Sequence, residues 1–344
     1  MDYMVEERTS TLPREEALSL LERLRSGETI PRSELDFRGV SLPGANLTGL
    51  QLSGADFTDA DLSGAKLTGA ALFKATCVRA SMVGADLEGA ELAGADLSQA
   101  NLENANARKA GFGLAVLRDA RLFSINLEEA TLTKADLSGA DVRCAHLNGA
   151  RIREANLTGS DFTAADLRGA DLSLTRLDRA VFNNTDLRES RLRAVDGFQT
   201  AEWIGADIRD INFAGAYRLR RHLVDENYLW EFRKSSKLSA FIYSIWKLTS
   251  DCGRSIGRWC IWIVAQILLF AGLYSMVGVD FGPDRSWVAP LYLSVVTLTT
   301  LGYGDMVPVT SAARIVAMTQ VLLGYVLLGG LLSILATKMA RRGE

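Results

Sequence analysis

The chain has 344 residues, 48% of them hydrophobic and 23% charged, with 38 basic against 41 acidic side chains and a formal net charge of −3. That balance hides two unlike parts. Residues 34–216 carry 26 acidic and 19 basic side chains, whereas residues 217–258 carry 9 basic and 4 acidic ones, an asymmetry that points to a basic collar beside a membrane rather than to a nucleic-acid binder. Cys77, Cys144, Cys252 and Cys260 form no CxxC pair, and only His146 and His222 could join them, so neither a zinc site nor a disulfide framework is expected.

The first ten residues, MDYMVEERTS, are acidic and polar rather than basic and apolar, which predicts a cytosolic N-terminus. A helical cap is expected within residues 1–33. Pro13 suits a first helical position, Glu15 and Glu16 the first turn, and Gly27 the stop. Ala17, Leu18, Leu20, Leu21 and Leu24 give it an apolar stripe to lay over the end of the neighbouring domain.

That domain is a repeat of five. From Phe37 to Leu192 every fifth residue is apolar, 32 in succession, and 27 of them are Leu or Phe. Two positions before each, 24 of the 32 residues are Ala, as in Ala55-Asp56-Phe57-Thr58-Asp59. This period fits neither the alternation of a strand nor the 3.6 of a helix. The chain must turn at every unit so that each apolar residue meets a common axis, with small Ala inside the corner and Asp, Asn, Ser, Thr or Gly satisfying the turn outside. A stacked solenoid buries a continuous apolar column in this way.

The pattern A-[DN]-[LF]-[ST]-G resembles that of the pentapeptide-repeat family. The resemblance implies a right-handed, four-sided β-helix over residues 34–216 with four units per coil, hence a stack of about 38 Å at ~4.8 Å per coil. Residues twenty apart then stack, Phe37 over Phe57 and Phe162 over Phe182. Ala107 is a thin central residue. After Leu192 the next centres are Trp203, Ile208 and Phe213, so one extra residue enters between Val195 and Thr200.

Residues 217–258 read as one or two helices rich in aromatic and basic side chains. The first part suits a lid for the β-helix. The second, Leu238–Leu248, has Phe241, Ile242, Ile245 and Trp246 just before a long apolar run, as an interfacial helix would.

Residues 259–344 carry two stretches of membrane-spanning length, 259–279 and 312–337. The first has no charge, its only strongly polar side chain is Gln266, and 21 residues reach about 31 Å. Lys247, Arg254, Arg258, Lys338, Arg341 and Arg342 flank the pair on one side, which predicts cytoplasmic N- and C-termini in a multi-pass cell-membrane protein. Between them lie an apolar stretch too short to span, 287–299, and then Thr300-Leu301-Gly302-Tyr303-Gly304-Asp305. This resembles the T-V-G-Y-G selectivity filter of potassium channels, with Leu301 in place of Val. The resemblance implies a two-helix pore module with a pore helix at 287–299 and a filter at 300–304. In it the carbonyls of Thr300, Leu301, Gly302 and Tyr303, with the Thr300 hydroxyl, replace water around a dehydrated potassium ion, and Gly304 completes the strand. One chain supplies a quarter of such a ring, which implies a homotetramer. Thr299, Asp305, Tyr292 and Val296 fall around the filter; Val296 stands where some relatives have Glu, leaving Tyr292 as a partner for Asp305. Gly324 falls where many relatives hinge, and Gly329 with Gly330 offers a second bending point, although small residues also let helices approach closely.

The chain is thus expected to pass potassium passively, as a non-enzyme without cofactor, K+ being only the permeant ion, with no metal site beyond K+ at the filter. Its partners would be its own copies, the lipid bilayer and an unidentified protein on the repeat domain, with no nucleic acid. The alternatives are a weakly selective cation channel, or a membrane-tethered repeat protein that imitates DNA.

Overall fold

The computed structural model describes residues 12–213, 216–282 and 286–340. The chain divides into two compact units, Met1–Trp230 and Glu231–Glu344.

The first unit opens with α1, Arg14–Arg25, which begins after Pro13 and buries Ala17, Leu20 and Leu21. It stops where Gly27 takes a left-handed φ of +87° and Glu28 N reaches back to Arg23 O at 3.2 Å, a helix end that a glycine makes without strain. The five-residue units after it share one plan. In the unit around Phe57, Ala60 N donates to Phe57 O at 3.0 Å, Asp59 takes φ 57° at the corner, and the Asp56 carboxylate accepts from Thr58 N at 2.9 Å. Each unit so satisfies its own turn. Between coils, Phe57 N donates to Thr76 O and Thr76 N to Ala55 O, at 2.6 and 2.9 Å. Parallel bridges join residues twenty apart, from Asp36↔Asp56 to Arg176↔Asp196, which is four units per coil. The centre is dry: Leu42, Leu47, Leu52 and Leu62 are fully buried.

Aromatic rings record the register. Phe37 stacks on Phe57 with centroids 4.9 Å apart and Phe162 on Phe182 at 5.2 Å. Ala107 is fully buried and the ladder passes it unbroken, its N–H donating to Asn126 O at 2.7 Å. The extra residue is accommodated at the corner 197–201, after which the bridges join residues 21 apart, as in Val181↔Glu202. The core column survives the insertion, because Trp203 slides onto Phe182 with centroids 4.5 Å apart.

Both ends of the stack are covered. Arg25 donates to Asn46 O of the first coil at 2.6 Å. At the far end α2, Tyr217–Ser235, packs Leu219 and Leu223 into the same core, and Asn227 accepts from Gly205 N at 3.0 Å. The repeat unit therefore extends to Trp230, past the expected boundary at 216, because the lid helix shares its core.

The second unit contains α3, Lys237–Ser250, α4, Ile256–Met276, α5, Ala289–Leu298, and α6, Ser311–Ala340. Ser236 starts α3 with a reciprocal cap to Ser239 and so ends α2. Leu238, Phe241, Ile242, Ile245 and Leu248 form an exposed stripe along α3. Ser255 caps α4, its hydroxyl accepting from Arg258 N. This helix begins and ends three residues before the expected 259–279, because Val279–Asp280 (β1) leaves it to pair antiparallel with Val307–Pro308 (β2). The strands close one end of the unit. The 21-residue α4 and the 26 residues Ser311–Ala336 of α6 are long and apolar enough to cross a membrane. Most of their large side chains, Ile261, Leu268, Leu269, Met318 and Leu322 among them, are exposed, as a membrane protein requires where lipid or further copies cover it.

Candidate functional site

The site is built where α5 ends. Pro290 lies in its first turn, where its missing N–H costs nothing. The helix packs between α4 and α6 and buries Ala289, Leu293, Ser294, Val296 and Leu298. At its C-terminus the last carbonyls are taken up by the next residues of the chain: Thr300 N donates to Thr297 O at 3.1 Å and Leu301 N to Val296 O at 3.0 Å. The Thr299 hydroxyl donates back to Val295 O at 2.8 Å.

From Thr300 the backbone alternates. Thr300, Gly302 and Gly304 take φ of 58°, 52° and 77°, while Leu301 and Tyr303 between them stay on the ordinary negative side. A Cβ added to Gly302 or Gly304 would meet nothing within 4 Å, so backbone angle, not space, makes glycine suitable there. Thr300 adopts the same sign with a β-branched side chain, which stores strain. Leu301 and Tyr303 are exposed in the single chain.

Two supports hold this segment. The Tyr292 hydroxyl donates to Asp305 Oδ2 at 2.8 Å. Behind the segment a cavity of about 290 Å³ is lined by Tyr274, Val296, Thr297, Tyr303, Asp305 and Met306. Val296 brings a methyl surface to it and no carboxylate, so Asp305 has the phenol as its partner.

A buried polar network, to which the sequence alone points only through Gln266, ties three helices together. Gln320, with no exposed surface, donates through Nε2 to Ser294 O at 2.9 Å and to Ser294 Oγ at 2.7 Å. The Ser294 hydroxyl donates to Ile267 O at 2.8 Å, and Gln266 Nε2 lies 3.4 Å from Gln320 O. Trp259 Nε1 donates to Leu327 O at 2.6 Å.

The glycines of α6 have separate surroundings, and the helix runs unbroken through them. A Cβ on Gly324 would lie 2.8 Å from Leu298 O, and one on Gly330 would lie 2.2 Å from the Trp259 ring, whereas Gly329 faces open space. Gly324 and Gly330 are thus points of close helix approach.

Residues 259–341 match the family model described as an ion channel. Segments 33–69, 80–119, 120–159 and 155–193 match the model for pentapeptide repeats. The C-terminal part is similar to two-pore potassium channel 1 of Arabidopsis thaliana, 35% identical over 89 residues that make up 23% of this chain and 24% of that protein. It is also similar to two pore potassium channel c of Oryza sativa subsp. japonica, 36% identical over 87 residues (21% and 19%), and to the voltage-gated potassium channel regulatory subunit KCNG2 of Rattus norvegicus, 31% identical over 80 residues (22% and 17%). The chain spans about a quarter or less of the length of these curated relatives. Among solved structures, a trypsin-treated form of QnrB1, a plasmid-mediated fluoroquinolone resistance protein, covers 55% of this chain and 95% of its own at 21% identity and a TM-score of 0.45. HetL, a pentapeptide repeat protein of Nostoc sp., covers 56% and 95% at 28% identity and a TM-score of 0.20.

Proposed function

Because the chain joins pentapeptide repeats to an ion-channel module, we propose that it is a potassium-selective channel whose filter is Thr300–Gly304 and whose repeat domain regulates or assembles it. The observation that carries this is the alternating backbone of Thr300-Leu301-Gly302-Tyr303-Gly304 at the C-terminal end of α5. In the proposed filter the carbonyls align, and aligned carbonyls are what a dehydrated monovalent cation needs in place of its water. The α5 dipole presents its negative end on the same side. Irregular backbone at bilayer depth persists only where protein shields it, so four chains close the ring as a homotetramer around one pathway, with the exposed Leu301 and Tyr303 facing neighbours. The termini lie in the cytoplasm, the β1–β2 end lies outside, and the α3 stripe rests at the headgroup boundary. Gly324 is both the contact with α5 and the bending point of α6.

Purified protein in liposomes tests this by potassium-against-sodium flux. A large preference for potassium is expected, and equal flux of both ions in every oligomeric form would overturn it. The second reading, a weakly selective cation channel, draws on Leu301 and on Val296, which leaves the cavity behind the filter without a carboxyl pair; bi-ionic reversal potentials separate the two. Gating that is unchanged on deletion of residues 1–216 would remove the regulatory role.

A further inference from the structure

Arg38, Arg143, Arg168, Arg176, Arg188 and Arg209 of the β-helix each pair with an aspartate of their own strand, and Arg79, Arg108 and Arg118 with an acid of a neighbouring coil. In Asp141-Val142-Arg143 the guanidinium forks onto the carboxylate at 2.7 Å through each nitrogen, and Asp186-Leu187-Arg188 and Asp207-Ile208-Arg209 repeat the arrangement. Of the six β-helix arginines that make no ion pair among the described residues, four share one face. There Arg151-Ile152-Arg153 and Arg191-Leu192-Arg193 put arginine at both outward positions of a strand, and the bridges Arg151↔Asp171 and Asp171↔Arg191 stack the two strands in one column. All four side chains are exposed, and none makes an ion pair among the described residues. Asp171 stands between Arg151 and Arg191 and offsets part of their charge, and the four guanidinium groups keep a net positive excess on that face.

The same column descends through Thr131, Gly111, Glu91 and Ala71, beside an outward row of Thr133, Gly113, Ala93 and Phe73. This half of the face carries mostly small residues, with the Glu91 carboxylate lying over Gly111 and the Lys74 ammonium over the Phe73 ring. Along its corner, Leu114 and Leu174 are 64% and 48% exposed and take left-handed φ of 60° and 65°, at the position that Gly44, Gly49 and Gly54 fill in the first units. A leucine in that conformation costs stability, and these two bury little in return.

We propose that this face is the docking surface for a protein segment that is apolar at one end and acidic at the other. Its apolar end lies on the small-residue half between Phe73 and Leu114, and its carboxylates engage the quartet Arg151, Arg153, Arg191 and Arg193, whose two strands stand about 10 Å apart. Unpaired guanidinium groups recognise carboxylates bidentately, and arginine beside exposed apolar side chains is the composition of a protein interface. A nucleic acid would leave the small-residue half uncovered and would meet the acidic excess of residues 34–216. A fluid lipid surface would gain little from small residues that let a polypeptide backbone come close. The inference stands whether or not the other unit conducts.

The test uses the full chain in detergent micelles and a fluorescein-labelled peptide made of a valine–threonine block followed by a glutamate–threonine block. Saturable binding at low salt is expected, weakened about tenfold or more by Arg151→Gln, Arg153→Gln, Arg191→Gln and Arg193→Gln together, and by a smaller factor in Leu114→Gly with Leu174→Gly. An unchanged thermal transition in the quadruple variant shows that folding is intact. Absent binding, or binding indifferent to the four substitutions, would overturn the proposal. So would tighter binding of an oligonucleotide of equal charge or of phosphatidylglycerol vesicles, or a self-association of the chain that the quadruple variant abolishes, since each gives the face to another occupant.

Discussion

The Tyr292 hydroxyl donates to Asp305 Oδ2 at 2.8 Å, and so ties α5 to the residue that ends the glycine-bearing segment. This hydrogen bond to a charged group spans the segment proposed as the filter. Tyr292→Phe is expected to lower the potassium-to-sodium permeability ratio several-fold and to hasten loss of current. Reversal potentials under bi-ionic conditions measure it; a ratio and time course identical to the parent would show that the tie does not shape the pathway.

The Gln320–Ser294 pair makes a prediction about stability. Gln320→Leu removes the Nε2 group that bonds Ser294 O and Ser294 Oγ. Interhelical hydrogen bonds in membranes average about 0.6 kcal/mol and reach about 1.7, and full burial places this one toward the upper value. A double-mutant cycle of Gln320→Leu with Ser294→Ala, read by thermal unfolding in detergent, should give a coupling of that size. Strict additivity would mean that the two residues do not act together.

Two neighbouring glycines should answer differently to one methyl group. Gly324→Ala pushes a Cβ to 2.8 Å from Leu298 O, where the obstacle is backbone, while Gly329→Ala meets nothing. The first should cost about 1–3 kcal/mol by overpacking and reduce flux, and the second should leave unfolding unchanged. Equal effects on the melting temperature would contradict the packing.

Leu174 is exposed and left-handed, so Leu174→Gly should stabilise the repeat unit. Relief of about 1–2 kcal/mol of left-handed strain exceeds the added chain entropy of about 0.4–1 kcal/mol. For a unit of this size the melting temperature should rise by about 2–4 °C. A fall would mean that the leucine contributes packing to the fold.

Acid should loosen the repeat unit in a defined direction. Hydrogen bonds from Arg38, Arg143, Arg188 and Arg209 hold Asp36, Asp141, Asp186 and Asp207 below the ordinary carboxylate value. A depressed carboxylate contributes its full stabilisation above the unfolded value of about 3.9 and loses it as pH falls through the lower folded value. Denaturant midpoints should therefore be flat from neutrality to about pH 5 and drop below about pH 4. Asp141→Asn with Asp186→Asn should be less stable at pH 7 and show a shallower drop.

The β-helix was legible because its period is carried by every unit. An apolar residue at every fifth position implied a stacked solenoid, the resemblance to pentapeptide repeats implied four units per coil, and the jump from Leu192 to Trp203 announced the inserted residue that the bridges then show. Tyr292 could be named as a partner of Asp305 because Val296 left no other. The left-handed turn at Thr300 was not legible, since threonine in isolation disfavours it and only the surrounding structure imposes it. Gln320 and Ser294 escaped because sequence shows a polar residue in an apolar run but not which helix it faces. The lid over the far end of the β-helix was legible in the first part of 217–258, but not the residues that seat it, because Leu219 and Leu223 reveal their place only once they pack into the shared core.

Twenty residues to the storey makes the height of the repeat unit adjustable without redesign. Excising one full coil, for instance residues 81–100, would lower everything above it by about 4.8 Å and leave each surviving side chain on the side of the building where it stood. Evolution can therefore tune the height of the repeat unit in whole floors, as one lengthens a ladder by adding identical steps.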